Sequence, residues 1–202
     1  MVTPYQVREL LRQHFTGIQA QQVHDDLSVS ITCRVLQSKR AKLAELPVMF
    51  RHIEGSVMLR GVGLTTLKGM PDQIQGNLNV SSNQLTSLMH APSKVEGDFV
   101  CNNNPILTLV HGPTHVTGAY MAVTCPLTEL TGMAEHIGHL VDVDYNGHMG
   151  LLRCLGARFI YVEHAPKPVQ DILNKYAGQG KPGAIRAAAE LIKAGYNRNA
   201  RW

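Results

Sequence analysis

Ten histidines, four cysteines and one pair of alternating aspartates are the side chains in this sequence best suited to chemistry. The step along the chain from His90 to His111 equals that from His115 to His136. If the chain repeats with that period, each pair stacks at about the 5 Å spacing of neighbouring strands. Two imidazoles are a poor zinc site, because zinc takes three or four ligands. Asp142 and Asp144 are separated by one residue, so an extended backbone turns both to one side, as in carboxylate pairs that do acid–base work. No recognisable nucleophile or phosphate-binding loop accompanies them. Cys33, Cys101, Cys125 and Cys154 contain no CxxC pair, and even the nearest two, Cys101 and Cys125, are far apart in sequence. Buried thiols in a reducing cytoplasm are therefore expected, rather than disulfides or zinc. The expectation is of no catalytic set, no metal and no cofactor.

What positions these residues is a repeat. KGMPDQIQGNLNVSSNQLTSL and MHAPSKVEGDFVCNNNPILTL follow one another over 68–109 as two copies of one 21-residue unit. The period continues both ways. Glycine recurs at 55, 76, 97 and 118, with His139 in the fifth place. Ahead of it stand Ile53, Ile74, Val95, Val116 and Ile137. Two places after it come Val57, Leu78, Phe99, Tyr120 and Val141, then Leu59, Val80, Cys101, Ala122 and Val143. Val62, Asn83, Asn104, Cys125 and Asn146 follow, and Leu67, Leu88, Leu109, Leu130 and Leu151 close the unit. A fixed period in the twenties is the mark of a solenoid. The apolar-x-apolar piece predicts one short strand per unit, stacked in parallel on its copies. A buried asparagine carries both donor and acceptor, so Asn83, Asn104 and Asn146, with Cys125 in the same column, predict a side-chain ladder that satisfies the turning backbone. The glycine is expected to permit a tight bend.

Leu78, Val80, Asn83 and Leu85 resemble the heart of the leucine-rich repeat pattern L-x-x-L-x-L-x-x-N/C-x-L. The resemblance covers about residues 43–152 and departs from the pattern at Val62 and His148. The short unit and its Met70-Pro71 and Ala91-Pro92 starts are similar to repeats of bacterial effectors and bacteriophage proteins. The fold implied is an α/β leucine-rich-repeat solenoid with few helices in the array. The function implied is binding of a host protein, such as one of a defence system, in the host cytoplasm. Effectors of this kind can carry a separate domain with a reactive cysteine, but the roughly 50 residues after Cys154 are few for a domain.

The ends read as caps. Residues 1–34 are expected to form a helical N-terminal cap, with Thr3, Pro4 and Gln6 as a capping box, Val7, Leu10, Leu11 and Phe15 on one face, and Gly17 ending the helix. Within and beyond it, LSVSITCRV (27–35) predicts a strand, and Leu36, Leu43 and Leu46 a degenerate first unit. The solenoid spans 35–157. Residues 158–202 are expected to give a last strand, RFIYVE, and a C-terminal cap of two helices. The second helix is expected to turn Ile185, Ala188, Leu191 and Ile192 inward. From 166 to 202, seven lysines and arginines face two acids, so the net +4 of the chain lies in this cap. Lys175, Lys181, Arg186 and Lys193 are the nucleic-acid contact of an alternative reading. No apolar run reaches the length of a membrane span and no signal-peptide pattern opens the chain, so a cytoplasmic protein without membrane contact is expected.

The outward strand positions carry the functional expectation. Met58, Val100, Asn102, Met121, Val123, Leu140, Asp142 and Asp144 put apolar residues beside carboxylates where a merely solvated sheet is polar. Exposed apolar residues rimmed by charge mark a contact surface. The sequence therefore predicts a non-enzymatic interaction module that grips, and by the resemblance inhibits, a protein through its concave sheet face.

Overall fold

A short coil has no hydrogen-bond partners for its own extended pieces, so it is ordered only by the coils on either side. The computed structural model, which describes residues 2–202, is a parallel solenoid built this way. In chain order its elements are α1 (Pro4–His14), β1 (Phe15–Val23), β2 (Val29–Ser38), β3 (Phe50–Met58), β4 (Gln73–Ile74), β5 (Leu78–Asn79), β6 (Lys94–Val95), β7 (Phe99–Val100), β8 (His115–Val116), β9 (Tyr120–Ala122), β10 (His136–Ile137) and β11 (Leu140–Asp144). A 3-10 turn (Leu152–Gly156), β12 (Phe159–Glu163), α2 (Lys167–Tyr176) and α3 (Gly180–Lys193) complete the chain.

Each unit contributes two strands rather than the single one expected. The long β3 divides the sheet: Ile53 pairs with Ile74, which begins the ladder β4, β6, β8, β10. Val57 and Met58 pair with Leu78 and Asn79, which begins β5, β7, β9, β11, β12. The β-branched column before each glycine is thus a ladder of its own. The repeating apolar columns turn inward, and Ile53, Leu78, Phe99, Tyr120 and Val143 are fully sealed from solvent.

Glycines 76, 97 and 118 are required for space and not for a bend, since none has a positive φ. A Cβ at Gly97 would lie 2.2 Å from Asn77 Oδ1, and one at Gly118 would lie 2.2 Å from Asp98 Oδ1. Those oxygens belong to a ladder that the sequence reading missed. Ser56 Oγ accepts from the backbone N–H of Asn77 at 3.1 Å, Asn77 Oδ1 from that of Asp98 at 2.8 Å, and Asp98 Oδ1 from that of Ala119 at 2.8 Å.

The expected asparagine ladder is present in the middle of the array. Asn83 Oδ1 accepts from the backbone N–H groups of Val62, Gly63 and Leu64 at 3.0, 2.9 and 3.0 Å, while its Nδ2 donates to Leu59 O and Val80 O at 2.8 Å each. Asn104 accepts from Leu85 N–H at 3.1 Å and donates to Val80 O at 3.0 Å. Cys125 continues the column as a donor, its thiol 3.4 Å from Cys101 O. Asn146 frays: it is half-buried, reaches Leu127 O at 3.2 Å, and spends its Oδ1 on the N–H of His148.

The N-terminal cap is a helix followed by a hairpin. Thr3 and Gln6 make the expected capping box, and α1 buries Val7 and Leu11. The helix ends at His14, however, and Gly17 lies inside β1, which runs antiparallel to β2. The register of this pair shifts twice between Thr16 and Ala20, so β1 lacks the period-2 pattern by which a strand is read. β2 then pairs in parallel with β3, with Leu36 opposite Val57, as the degenerate first unit.

At the other end, β12 would leave an open edge. Gln170 of α2 closes it, accepting from Val162 N–H at 2.9 Å and donating to Ile160 O at 2.5 Å. Val169, Ile172, Leu173 and Tyr176 face inward as expected. α3 follows expectation only in part: Leu191 is buried and Ala188 half-buried as expected, but Gly183, Ala184 and Ala187 complete the buried face, while Ile185 and Ile192 are 71% and 55% exposed. Small residues let α3 approach closely, which rotates the larger isoleucines out. The tail returns through Asn199, whose Nδ2 donates to Met149 O at 2.8 Å, and leaves Trp202 exposed.

Asn83→Ala is expected to cost about 3 kcal/mol and Asn104→Ala about 1–2 kcal/mol, because Asn83 holds three backbone donors and Asn104 one. Equal or negligible losses in denaturant titrations would contradict the ladder. Tyr120 is fully buried, 5.0 Å from the Phe99 ring, and its hydroxyl has no partner. Tyr120→Phe should therefore leave stability unchanged or raise it by about 1 kcal/mol, measured in the same titrations.

Candidate functional site on the outward sheet face

The alternation of the β5–β12 ladder puts one residue in two on its outer side. The register places Asn79, Val100, Met121, Asp142 and Tyr161 in one row across the strands. Leu140 lies beside Phe159, and Asp144 beside Glu163. Val100, Asn102, Met121, Val123, Leu140, Asp142 and Asp144 are all partly exposed, so the structure gathers them as expected. Met58 is 38% exposed but stands three strands from Met121, with Asn79 and Val100 between, so it lies at the margin. Asn102 has a structural duty as well, its Oδ1 accepting from Val123 N–H at 2.9 Å.

Phe159 and Tyr161, 49% and 52% exposed, extend the patch by one strand and were not among the expected residues. The coil that leads to them from Leu140 and Asp142 is shorter than the others, so the repeat period steps from Leu140 past Phe159 and onto Tyr161. The alternation within RFIYVE was the signal that could have found them, since Ile160 and Val162 are buried.

The carboxylates lie within this apolar strip, between its Met121 and Tyr161 strands. Asp142 has Met121 on one side and Tyr161 on the other, and its Oδ1 is sealed from solvent without a hydrogen-bond partner. Loss of solvation, then the charges of Glu163 and Asp144, push its carboxyl up to about 6. Asp144 Oδ2 accepts from Thr124 N–H. Asp144, Glu163 and His164 each bring one potential ligand atom within 4.8 Å of the others. Carboxylates so placed also seat guanidinium and ammonium groups.

The remaining candidates are dispersed. His115 and His136 stack as expected, with ring centroids 4.6 Å apart, on the other ladder. His90 and His111 occupy equivalent turns with φ of 69° and 67°. All four cysteines are free and buried, and burial pushes the Cys154 thiol up to about 12. In the basic cap, Lys175 lies 2.6 Å from Glu190, and Arg186 donates to Gln179 at 2.7 Å. Both cations also lie over the ring of Tyr176. Two of the four candidate nucleic-acid contacts are thus engaged within the cap, and Lys181 and Lys193 are exposed. No described helix is long and apolar enough to cross a membrane. Comparison of the chain with protein-family models, curated proteins and solved structures gives no match.

The raised Asp142 carboxyl sets a pH dependence. Between about pH 4 and 6 the folded protein holds a proton that the unfolded chain has released, so stability falls as pH rises through that window and is level above it. Asp142→Asn is expected to raise the melting temperature by a few degrees at neutral pH, with the gain vanishing below about pH 4. Melts of both proteins across this range check it, and a loss of stability at neutral pH would contradict it.

Proposed function

We propose that this chain is a non-enzymatic interaction module of leucine-rich-repeat type that binds a protein across the outer face of its later strands. The observation that carries the reading is the row Val100, Met121, Asp142, Tyr161: an apolar and aromatic strip interrupted by a desolvated carboxylate oxygen that lacks a donor. Interface centres combine apolar or aromatic anchors with a polar rim. The resemblance of the repeat to those of bacterial effectors and bacteriophage proteins supports a host protein as the partner, held so as to inhibit it.

Affinity capture from host lysate, followed by binding of the captured protein to folded variants, tests the reading. Met121→Arg and Val123→Arg place charge on the strip without touching the inward Tyr120 and Ala122, so melting should persist while binding falls at least tenfold. Asp142→Lys and Asp144→Lys should slow association with a partner that is basic there. Normal binding by folded Met121→Arg and Val123→Arg would overturn the reading. Reversal of Lys175, Lys181, Arg186 and Lys193 should leave binding intact; its loss together with a salt-sensitive nucleic-acid complex would favour the basic cap instead.

A further inference from the structure

Away from the sheet face, the C-terminal cap leaves a cavity of about 320 Å3 between the last units of the array and α3. Met133, Leu152 and Leu155 supply apolar wall, and the indole of Trp202 stands at its mouth. Its lining also includes two cations, Arg153 and Lys181.

Arg153 is the unexplained residue. Its Nε is sealed from solvent and donates to nothing, and among the described residues no carboxylate lies within ion-pair distance of its guanidinium. A buried donor without an acceptor costs stability, more so when charged. Nothing in the stacking of the coils requires an arginine here, since the neighbouring Leu152 and Cys154 fill the core. Gly180 and Lys181, the first two residues of α3, line the same cavity, and no side chain caps that helix. Their backbone N–H groups are among those a helix leaves without internal partners. The carboxylate on the lining, Glu135, is exposed. Cationic donors with unmet capacity over an apolar floor select one kind of guest: an apolar body ending in an oxyanion.

We propose that the cavity beneath α3 binds a small aromatic or aliphatic carboxylate, with its apolar body against Met133, Leu152, Leu155 and Trp202 and its carboxylate on Arg153. The volume is near the lower end for ligand sites, which fits a single ring with a short acidic chain. The terminal nitrogens of Arg153, which have no protein acceptor and unlike Nε are open to solvent, supply the bonds to the carboxylate, and the exposed Lys181 ammonium adds attraction at the mouth. This site is separate from the sheet face and does not depend on the function proposed for it.

Trp202 is the only tryptophan in the chain, so its fluorescence reports the cavity directly. The test is titration of the full chain with sodium 4-phenylbutyrate and, in parallel, with its neutral amide. Saturable change is expected with the carboxylate, at an affinity at least tenfold above that of the amide. Arg153→Met should lower carboxylate affinity at least tenfold and leave the amide unchanged. Should that variant fail to fold, Gly156→Leu carries the test. A Cβ at Gly156 meets nothing closer than 3.5 Å, so the larger side chain fits the backbone and fills the cavity. It should abolish the fluorescence change. An unsaturable response to the carboxylate, equal affinity for the amide, or unchanged binding in folded Arg153→Met or Gly156→Leu would overturn the proposal.

Discussion

Every extended piece of this chain depends on hydrogen bonds that its own coil cannot supply. The strands after β3 are mostly two residues long, and a pair of that length has no stability by itself. Continuous stacking makes them a sheet, and oxygen atoms on side chains satisfy the backbone where the coil turns. Asn83 and Asn104 do this inside the array, while Ser56, Asn77 and Asp98 do it on the outside. The two ends are the places where the scheme must stop. One is closed by a bulged hairpin, the other by the amide of Gln170, which imitates one more strand.

The outer polar ladder also divides the surface by duty. In the earlier units, the position after the glycine must hold an oxygen, because the next coil's N–H points at it. At Ala119 that requirement lapses, and the same column continues as Leu140 and Phe159. The column after the glycine therefore turns apolar where that demand ends. Residues of that column are free of this demand in the later strands, where apolar side chains replace the polar ones.

The solenoid, its core columns and the asparagine ladder were legible in the sequence because a fixed period repeats the same burial problem from Gly55 to Leu151. Features outside that period were not. β1 is hidden by two shifts in its pairing, and the place of Phe159 beside Leu140 by a shortened final coil. The column Ile74, Val95, Val116 and Ile137 was visible as a core column, but two-residue strands leave no alternation from which to read a second ladder. In α3, apolar periodicity pointed to Ile185 and Ile192, whereas close packing favoured the alanines. Of the candidate site, the outward direction of Met121, Val123, Asp142 and Asp144 followed from the period alone. The sealed oxygen of Asp142, beside Tyr161 and near the charge of Glu163, was not legible, because both belong to the next strand.

The pairing of each glycine with an oxygen one coil back has a consequence for how such a chain changes length over generations. A segment such as Asn77 to Gly97 brings its own acceptor, Asn77 Oδ1, and its own empty place, Gly97, where that oxygen fits. Tandem duplication of it joins Gly97 to a second Asn77 and leaves both ladders unbroken. A copy taken from Ala119 onward has neither the acceptor nor, with His139 in the glycine place, the space. Heritable gain and loss of whole coils is thus confined to the middle of the array, and the apolar strip can be moved away from the N-terminal cap without being altered.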